Sequence, residues 1–254
     1  MSTVEIRYFE STVVVVGAGS GIGAATAVTL GQRGCTVICL DRELEAAVST
    51  SALITAKGGV ASSLFADVTD RDSLEKAFTE IRADFGQIHG VVNSVGIQGE
   101  LGMRSHEASL EQFDVAYAVN LRGALSVSQV ALSHMLEYGY GRIAQVASIA
   151  GKEGNPNMIA YSTTKAGLIG MVKAQGKEYA KDGITINAIA PAVIQTPFLE
   201  SQPAEVLAYM TDKIPMGRTG NLTEVAGMIA WMVSPECSFT TGFTFDLSGG
   251  RATY

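Results

Sequence analysis

The 254-residue chain is 47% hydrophobic and 17% charged, enough to bury a large core, and its size fits one α/β domain over residues 1–254 rather than two. The net charge of −7 comes without basic clusters, which argues against a nucleic-acid partner. The charged start (Glu5, Arg7, Glu10) excludes a signal peptide, and no apolar run nears the ~18 residues that span a bilayer, so a cytoplasmic protein without a membrane partner is expected.

Strands and helices alternate along the chain. Thr12 to Val16 is a run of β-branched residues and reads as a buried strand. A glycine-rich loop from Gly17 to Gly23 follows, then a helix to about Arg33. Thr36 to Leu40 is a second strand closed by Asp41, and a helix spans about Glu43 to Lys57. Ser62 to Ala66 is a short third strand before Asp67, followed by a helix over about Arg71 to Phe85. Ile88 to Asn93 is the fourth strand, and a long helix covers about Leu110 to Tyr138. The fifth strand, Arg142 to Ser148, leads through a loop broken by Gly151, Gly154 and Pro156 into a helix from Ala160 past Lys173. Ile184 to Ala190 is a sixth strand, Pro191 to about Arg218 a lid-like segment, Leu222 to Val233 a helix and Phe243 to Leu247 the last strand. This alternation predicts an α/β fold: a Rossmann-type, doubly wound parallel sheet with helices on both faces. Cys35, Cys39 and Cys237 fit no metal-ligand spacing and read as buried, reduced thiols, so no metal is expected.

Two stretches carry chemistry. The first loop, Gly17, Ala18, Gly19, Ser20, Gly21, Ile22, Gly23, lies between a strand and a helix, the context of a dinucleotide-binding turn. Small residues let backbone approach a pyrophosphate, and the helix N-terminus attracts its charge. The spacing is G-x-x-x-G-x-G, because Ile22 stands where G-x-G-x-x-G needs its third glycine; a plain tight turn would also favour glycine. Asp41 ends the second strand about 20 residues on, where a carboxylate can bind ribose hydroxyls and repel the extra phosphate of NADP. That favours NAD(H). Arg42 beside it could welcome that phosphate, and Asp41 could equally be a helix N-cap.

The second stretch is the fifth strand with the helix after it. Ser148 ends the strand, Tyr161 starts the helix, and Lys165 lies four residues later on the same helix face. Ligands bind outside the carboxyl ends of strands in such sheets, which gathers the three groups at one site. A phenol with a pKa of roughly 10 is a poor base at neutral pH. A nearby ammonium would pull that pKa down and make Tyr161 an acid–base, with Ser148 holding the substrate oxygen. Tyr161 and Lys165 could also be an ordinary helix pair.

Over essentially its whole length the chain resembles the short-chain dehydrogenases/reductases. The glycine loop matches at Gly17, Gly21 and Gly23, with Val16 in place of the usual threonine, and the catalytic tetrad falls on Asn120, Ser148, Tyr161 and Lys165. Asp67 and Val68 match the adenine-contacting pair. The Asn-Asn-Ala-Gly motif appears as Asn93, Ser94, Val95, Gly96, a departure expected to weaken a structural contact. The Pro-Gly after the sixth strand appears as Pro191, Ala192. The resemblance implies an enzyme that moves a hydride between NAD(H) and a secondary alcohol or ketone. Lys165 would also hold the nicotinamide ribose, Asn120 would perturb its helix and anchor a water leading from Lys165, and Pro191, Val193, Ile194 and Thr196 would meet the nicotinamide end.

The substrate is expected to meet the residues after Gly96, the 149–159 loop and the lid. These offer Gln98, Arg104, Lys152, Glu153, Asn155 and Asn157, with Met158, Phe198 and Leu199. The set suits a small hydroxylated acid. The loop and the closing Ser248-Gly249-Gly250-Arg251-Ala252-Thr253-Tyr254 resemble bacterial members of the family that oxidise sugar acids, such as 2-keto-3-deoxy-fuconate dehydrogenases. A 3-oxoacyl-carrier-protein reductase is the alternative, disfavoured by Asp41 and the acidic balance, and a non-catalytic nucleotide-sensing regulator would show a broken tetrad. The resemblance implies a homotetramer. Ala116, Ala118, Ala124, Val127, Leu168 and Met171 are expected at one interface, the last strand with Met228, Trp231 and Met232 at a second, and the tail Arg251 to Tyr254 beside a neighbour's lid.

Overall fold

The computed structural model describes residues 11–195, 205 and 211–254. Strands β1 (Thr12–Val16), β2 (Thr36–Asp41), β3 (Val60–Phe65), β4 (Gly90–Asn93), β5 (Gly141–Val146), β6 (Ile184–Pro191) and β7 (Thr244–Leu247) form one seven-stranded sheet in the order 3-2-1-4-5-6-7. Every pairing is parallel. The doubly wound sheet is therefore the one expected, with strand ends shifted by a residue or two. β3 starts at Val60 rather than Ser62 because its register against Thr36–Asp41 runs the full length of β2.

The connecting helices are α1 (Gly21–Gln32), α2 (Leu44–Ala56), α3 (Arg71–Phe85), α4 (Leu110–Tyr117), α5 (Gly123–Met135), α6 (Ala150–Glu153), α7 (Ile159–Glu178) and α8 (Leu222–Met232). Strand side chains alternate between two apolar layers. Val14, Val16, Ile38 and Leu40 pack with α3 and α5, while Val13, Val15, Val37 and Cys39 pack against α1 and α8. A sheet covered on both faces explains why its strands read as continuous apolar runs. Burial pushes the Cys35 thiol up to about 11 and the Cys39 thiol up to about 12, and Cys237 is buried as well.

Three local readings are corrected. The long helix expected over Leu110 to Tyr138 is interrupted by a π-helical turn, Ala118–Arg122, between α4 and α5. Such bulges are rare and occur often at functional sites; this one carries Asn120. The 149–156 segment is not all loop: the Ser148 hydroxyl accepts from Ala150 N–H at 3.1 Å and starts α6, which ends at Gly154 with φ 71°. Asp41 is not an N-cap. Glu43 occupies that position, and Asp41 accepts its N–H at 3.0 Å from outside the helix.

The switch in strand order lies between β1 and β4, and a crevice forms there beyond the strand carboxyl ends. Ala116, Ala124, Val127, Leu168 and Met232, expected at subunit interfaces, are instead buried in this chain's own core. The small or branched shapes of the first four fit the close packing of α4 on α7 and of α5 and α7 on the sheet. Among the described residues no helix is long and apolar enough to cross a membrane, and no group of three or more His, Cys, Asp or Glu side chains could hold a metal ion.

Candidate active site

A cavity of about 600 Å3 fills the crevice, with Gly17 and Ser20 to Gly23 at one end and Ser148, Tyr161 and Lys165 at the other. Asp41, Arg42, Asp67 and Val68 line its first wall, and Gly96, Gln98, Pro191 and Ile194 its second. The chemistry-bearing residues of the two stretches are thus brought to one site.

The loop end is built to leave backbone bare. Gly23 has no room for a side chain, since a Cβ would come within 2.0 Å of the Gly17 carbonyl oxygen and 2.4 Å of Ser94 Oγ. Gly21 has φ +53° and nothing within 4 Å of where a Cβ would stand. Helix α1 starts at Ser20 with no side-chain cap and no acidic residue in its first turn. Its first N–H groups therefore point to the cavity, where an anion satisfies both the orphan donors and the helix dipole. The Asp41 carboxylate accepts the Gly19 N–H at 2.8 Å and pins the loop to β2. Bare N–H groups at one end and a carboxylate at the strand end fit the pyrophosphate and adenosine ribose of a dinucleotide. Arg42 is exposed and lies 3.9 Å from Glu43, so its charge has an acidic neighbour.

Ser94 was expected to weaken a contact. Its hydroxyl instead lies 2.9 Å from the Val16 carbonyl and 3.1 Å from that of Gly17, joining β4 to the start of the loop. Ser94 and its neighbour Val95 line the cavity although only their departure from the family motif was noted, and Thr69 and Val119, which sequence reasoning did not single out, line it too. The small polar side chain beside a glycine loop was the available signal for Ser94.

At the other end Lys165 is buried, with 3% exposure, and its Nζ donates to the Val146 carbonyl at 2.7 Å. Desolvation lowers its pKa to about 8. The Nζ stands 5.8 Å from the centre of the Tyr161 ring. The Tyr161 phenol is pushed up, not down: burial dominates, and the facing Ser148 hydroxyl opposes it only in part. The expected lowering by the ammonium is outweighed by desolvation, the largest influence on both groups, although Tyr161 lines the cavity and is only half-buried.

Several expected contacts lie elsewhere. Asn120 does not line the cavity; its carboxamide accepts from Ile97 N–H and donates to Ile97 O, both at 2.8 Å, and donates to Thr164 Oγ1 at 3.1 Å. A Cβ on Gly96 would stand 3.0 Å from Lys165 Nζ and 3.4 Å from Asn120 Oδ1, so that glycine separates the two groups. Asn93 donates to Gln145 Oε1 at 2.9 Å inside the sheet, and Gly19 and Val193 are outside the lining. Of the polar substrate set only Gln98 lines the cavity. Lys152 and Glu153 are engaged by Asp246 and Arg251, and Asn155 accepts from Arg251 at 3.2 Å. Thr196, Phe198, Leu199 and half of the 191–218 lid lie outside the described residues.

The depressed value of Lys165 has a consequence for stability. An unfolded lysine holds its proton up to about 10.5, whereas the buried amine gives it up at about 8. Between these limits the unfolded chain binds more protons, so stability rises with pH. The contribution is complete above the window and is lost as pH falls through about 8. Urea unfolding of wild type and Lys165→Met across this range is expected to show the wild type gaining on the variant from pH 8 upward; parallel curves would mean the amine is not desolvated.

Residues 17–252 match the family model described as enoyl-(acyl carrier protein) reductase. The chain is 40% identical, over the whole of both sequences, to 2-dehydro-3-deoxy-L-rhamnonate dehydrogenase (NAD(+)) of Sphingomonas sp. strain SKA58. It is 36% identical over 93% of its length, and 96% of the relative's, to a 3-oxoacyl-[acyl-carrier-protein] reductase of Thermotoga maritima. Among solved structures, an NAD+-bound xylitol dehydrogenase superposes with a TM-score of 0.92 at 30% identity, covering 96% of this chain and 100% of the other. A levodione reductase matches with the same score and identity over 98% and 100%. The sheet order, the glycine loop at its switch point and these matches together assign the chain to the short-chain dehydrogenase/reductase family of oxidoreductases.

Proposed function

We propose that the protein is an NAD(H)-dependent dehydrogenase that interconverts a secondary alcohol and a ketone on a small hydroxylated substrate of the sugar-acid class. The observation that carries this reading is the convergence of Ser148, Tyr161 and Lys165 on one end of the cavity whose other end is the bare glycine loop. The bound nicotinamide supplies the hydride acceptor or donor. In reduction the carbonyl carbon takes the hydride and its oxygen takes the Tyr161 phenol proton; in oxidation the substrate carbon gives up its hydride and its hydroxyl proton passes to the Tyr161 phenolate, whose own proton has first left to solvent. Ser148 holds the reacting oxygen. Lys165, tied to Val146 O, keeps a proton donor beside Tyr161 and the ribose. Asn120 holds the Ile97 backbone and so sets the wall facing Lys165. The sugar-acid class is supported by the likeness, along its whole length, to the 2-dehydro-3-deoxy-L-rhamnonate dehydrogenase (NAD(+)) of Sphingomonas.

Tyr161→Phe is expected to remove nearly all turnover and leave NADH binding almost unchanged, because the ring keeps its packing and loses only the transferable proton. Turnover is read first in a screen with NAD of sugar acids, polyols, secondary alcohols and acetoacetyl thioesters, and binding by NADH fluorescence. A tenth or more of wild-type turnover would refute the acid–base role. A thioester as the best substrate would replace the sugar-acid reading by acyl reduction.

Preference for NAD(H) over NADP(H) is set by the Asp41 charge. Asp41→Asn keeps an acceptor for the Gly19 N–H but removes the charge, and the ratio of kcat/KM for the two cofactors is expected to fall severalfold toward NADP(H), with Arg42 meeting the added phosphate. A wild type that prefers NADP(H) would show that Arg42 outweighs Asp41.

The assembly is a homotetramer. Support comes from large apolar side chains left in solvent on two faces: Leu110, Val115, Tyr117, Leu125 and Ile159 around α4, α5 and α7, and Phe239 and Phe243 beside β7. Among the described residues β7 is also a sheet edge, paired only with β6, and edges of this kind are usually covered. Light scattering at micromolar concentration is expected to give four times the chain mass; a monomer would refute the assembly.

A further inference from the structure

Behind the wall that carries Ser148, four charged side chains outside the cavity alternate in sign. Lys152 Nζ donates to both oxygens of Asp246, at 3.0 and 2.9 Å, and its side chain is 7% exposed. Arg251 donates from Nε and Nη2 to Glu153 Oε2, at 2.9 and 2.6 Å, and is 9% exposed. Its Nη2 also donates to Asn155 Oδ1 at 3.2 Å. The Tyr254 hydroxyl donates to the Lys152 carbonyl at 2.9 Å, with its ring 4.8 Å from Lys152 Nζ. The carboxyl-terminal tail is thereby tied back to α6 of its own chain, by residues 98 and 102 positions apart.

The segment so gripped bonds the Ser148 hydroxyl and the side chain of the residue that follows Tyr161. α6 has one turn, too short to hold its own shape in water. At its start the Ala150 N–H bonds Ser148 Oγ. Just past its end the Asn155 N–H donates to Ser162 Oγ at 3.0 Å, next to Tyr161 in the chain. Its middle lies against α7, where a Cβ on Gly151 would come within 2.6 Å of the Lys165 carbonyl carbon. Any slackness in α6 therefore reaches Ser148, Tyr161 and Lys165 together. Exposed ion pairs hold such a turn weakly. Here the two cations are nearly buried, and breaking one pair leaves an uncompensated charge.

We propose that Lys152 and Arg251 are positioning residues for the reaction: the ion pairs they make with Asp246 and Glu153 hold α6 and Asn155, and so fix the hydroxyls of Ser148 and Tyr161. This rests on the reading of Ser148 and Tyr161 as the reacting pair. The four charged groups belong to α6, to β7 and to the tail, so the clasp joins the last strand of the sheet to the site.

The test compares wild type, Arg251→Gln, Glu153→Gln and the charge swap Glu153→Arg/Arg251→Glu. Turnover is measured with the best substrate of the NAD screen, and backbone hydrogen exchange is followed over residues 149–155. Each single variant is expected to lose at least tenfold in kcat with the Kd for NADH changed less than twofold. Exchange at 149–155 should quicken in step, and the swap should recover a substantial part of both. If Arg251→Gln does not fold, Glu153→Gln breaks the same pair from its more exposed side. Wild-type kcat in the single variants would overturn the proposal, as would a rise in KM alone, which would mean that Arg251 binds substrate. A loss of kcat without faster exchange would overturn it too. Tyr161→Phe run beside them separates the two readings: an active Tyr161→Phe refutes the acid–base role, while the exchange measurement still judges the clasp.

Discussion

A buried amine with one strong acceptor organises the site. Lys165 Nζ donates to the carbonyl at the end of β5, at 2.7 Å, and almost none of the side chain meets solvent. An amine in such a place is costly to charge, and its pKa falls to about 8. Everything around it follows from keeping that position. Gly96 is a glycine because a Cβ there would come within 3.0 Å of the amine. Gly151 is a glycine because α6 rests on the backbone at Lys165. The π-helical turn brings Asn120 to the Ile97 backbone on the other side of Gly96. The tyrosine one turn earlier is likewise buried enough for its pKa to rise. Desolvation thus favours the neutral form of both members of the pair.

The sheet supplies the frame for this. Its strands are apolar on both faces, so polar side chains collect at their carboxyl ends, where Asp41, Asn93 and Ser148 stand at the ends of β2, β4 and β5. Some of the polar groups that remain inside pair with one another, as Asn93 does with Gln145 and Gln145 with Ser128, whereas Thr185 Oγ1 and Thr244 Oγ1 have no partner among the described residues. A buried polar side chain without a partner would cost about 1–3 kcal/mol, so these chains of bonds are a condition of putting asparagine and glutamine there.

Much of this was legible in the sequence. The strands announced themselves as β-branched runs, and the glycine loop, Asp41, Ser148, Tyr161 and Lys165 lay at strand ends or helix starts that the alternation fixes. What stayed hidden depended on partners far apart in the chain. Lys152, Glu153 and Asn155 looked like free polar residues of a substrate loop because Asp246 and Arg251 are more than ninety positions away. The interface alanines looked like surplus apolar residues because nothing local says how closely α4 packs on α7 and α5 on the sheet. The direction of the Tyr161 shift was missed for a related reason. Sequence spacing gives the distance to Lys165, but only the folded chain gives the burial that outweighs it. Local hydrogen bonding decided the rest: one serine hydroxyl turned the start of a loop into α6.

The three cysteines offer a view of how the molecule opens. Cys39 lies in the middle of β2 and Cys35 just ahead of it, while Cys237 follows α8 and accepts a weak contact from Asn187 of β6. Burial raises all three thiols, so the reactive thiolate is scarce at neutral pH in the folded chain. An alkylating reagent or a mild oxidant then reaches them only when a part of the sheet exposes its interior. Cys35 and Cys39 report the half that carries the glycine loop, and the thiol after α8 reports the half that carries β6. The fold thus holds two built-in clocks, one for each side of the crevice, and any difference between their rates tells which half loosens first.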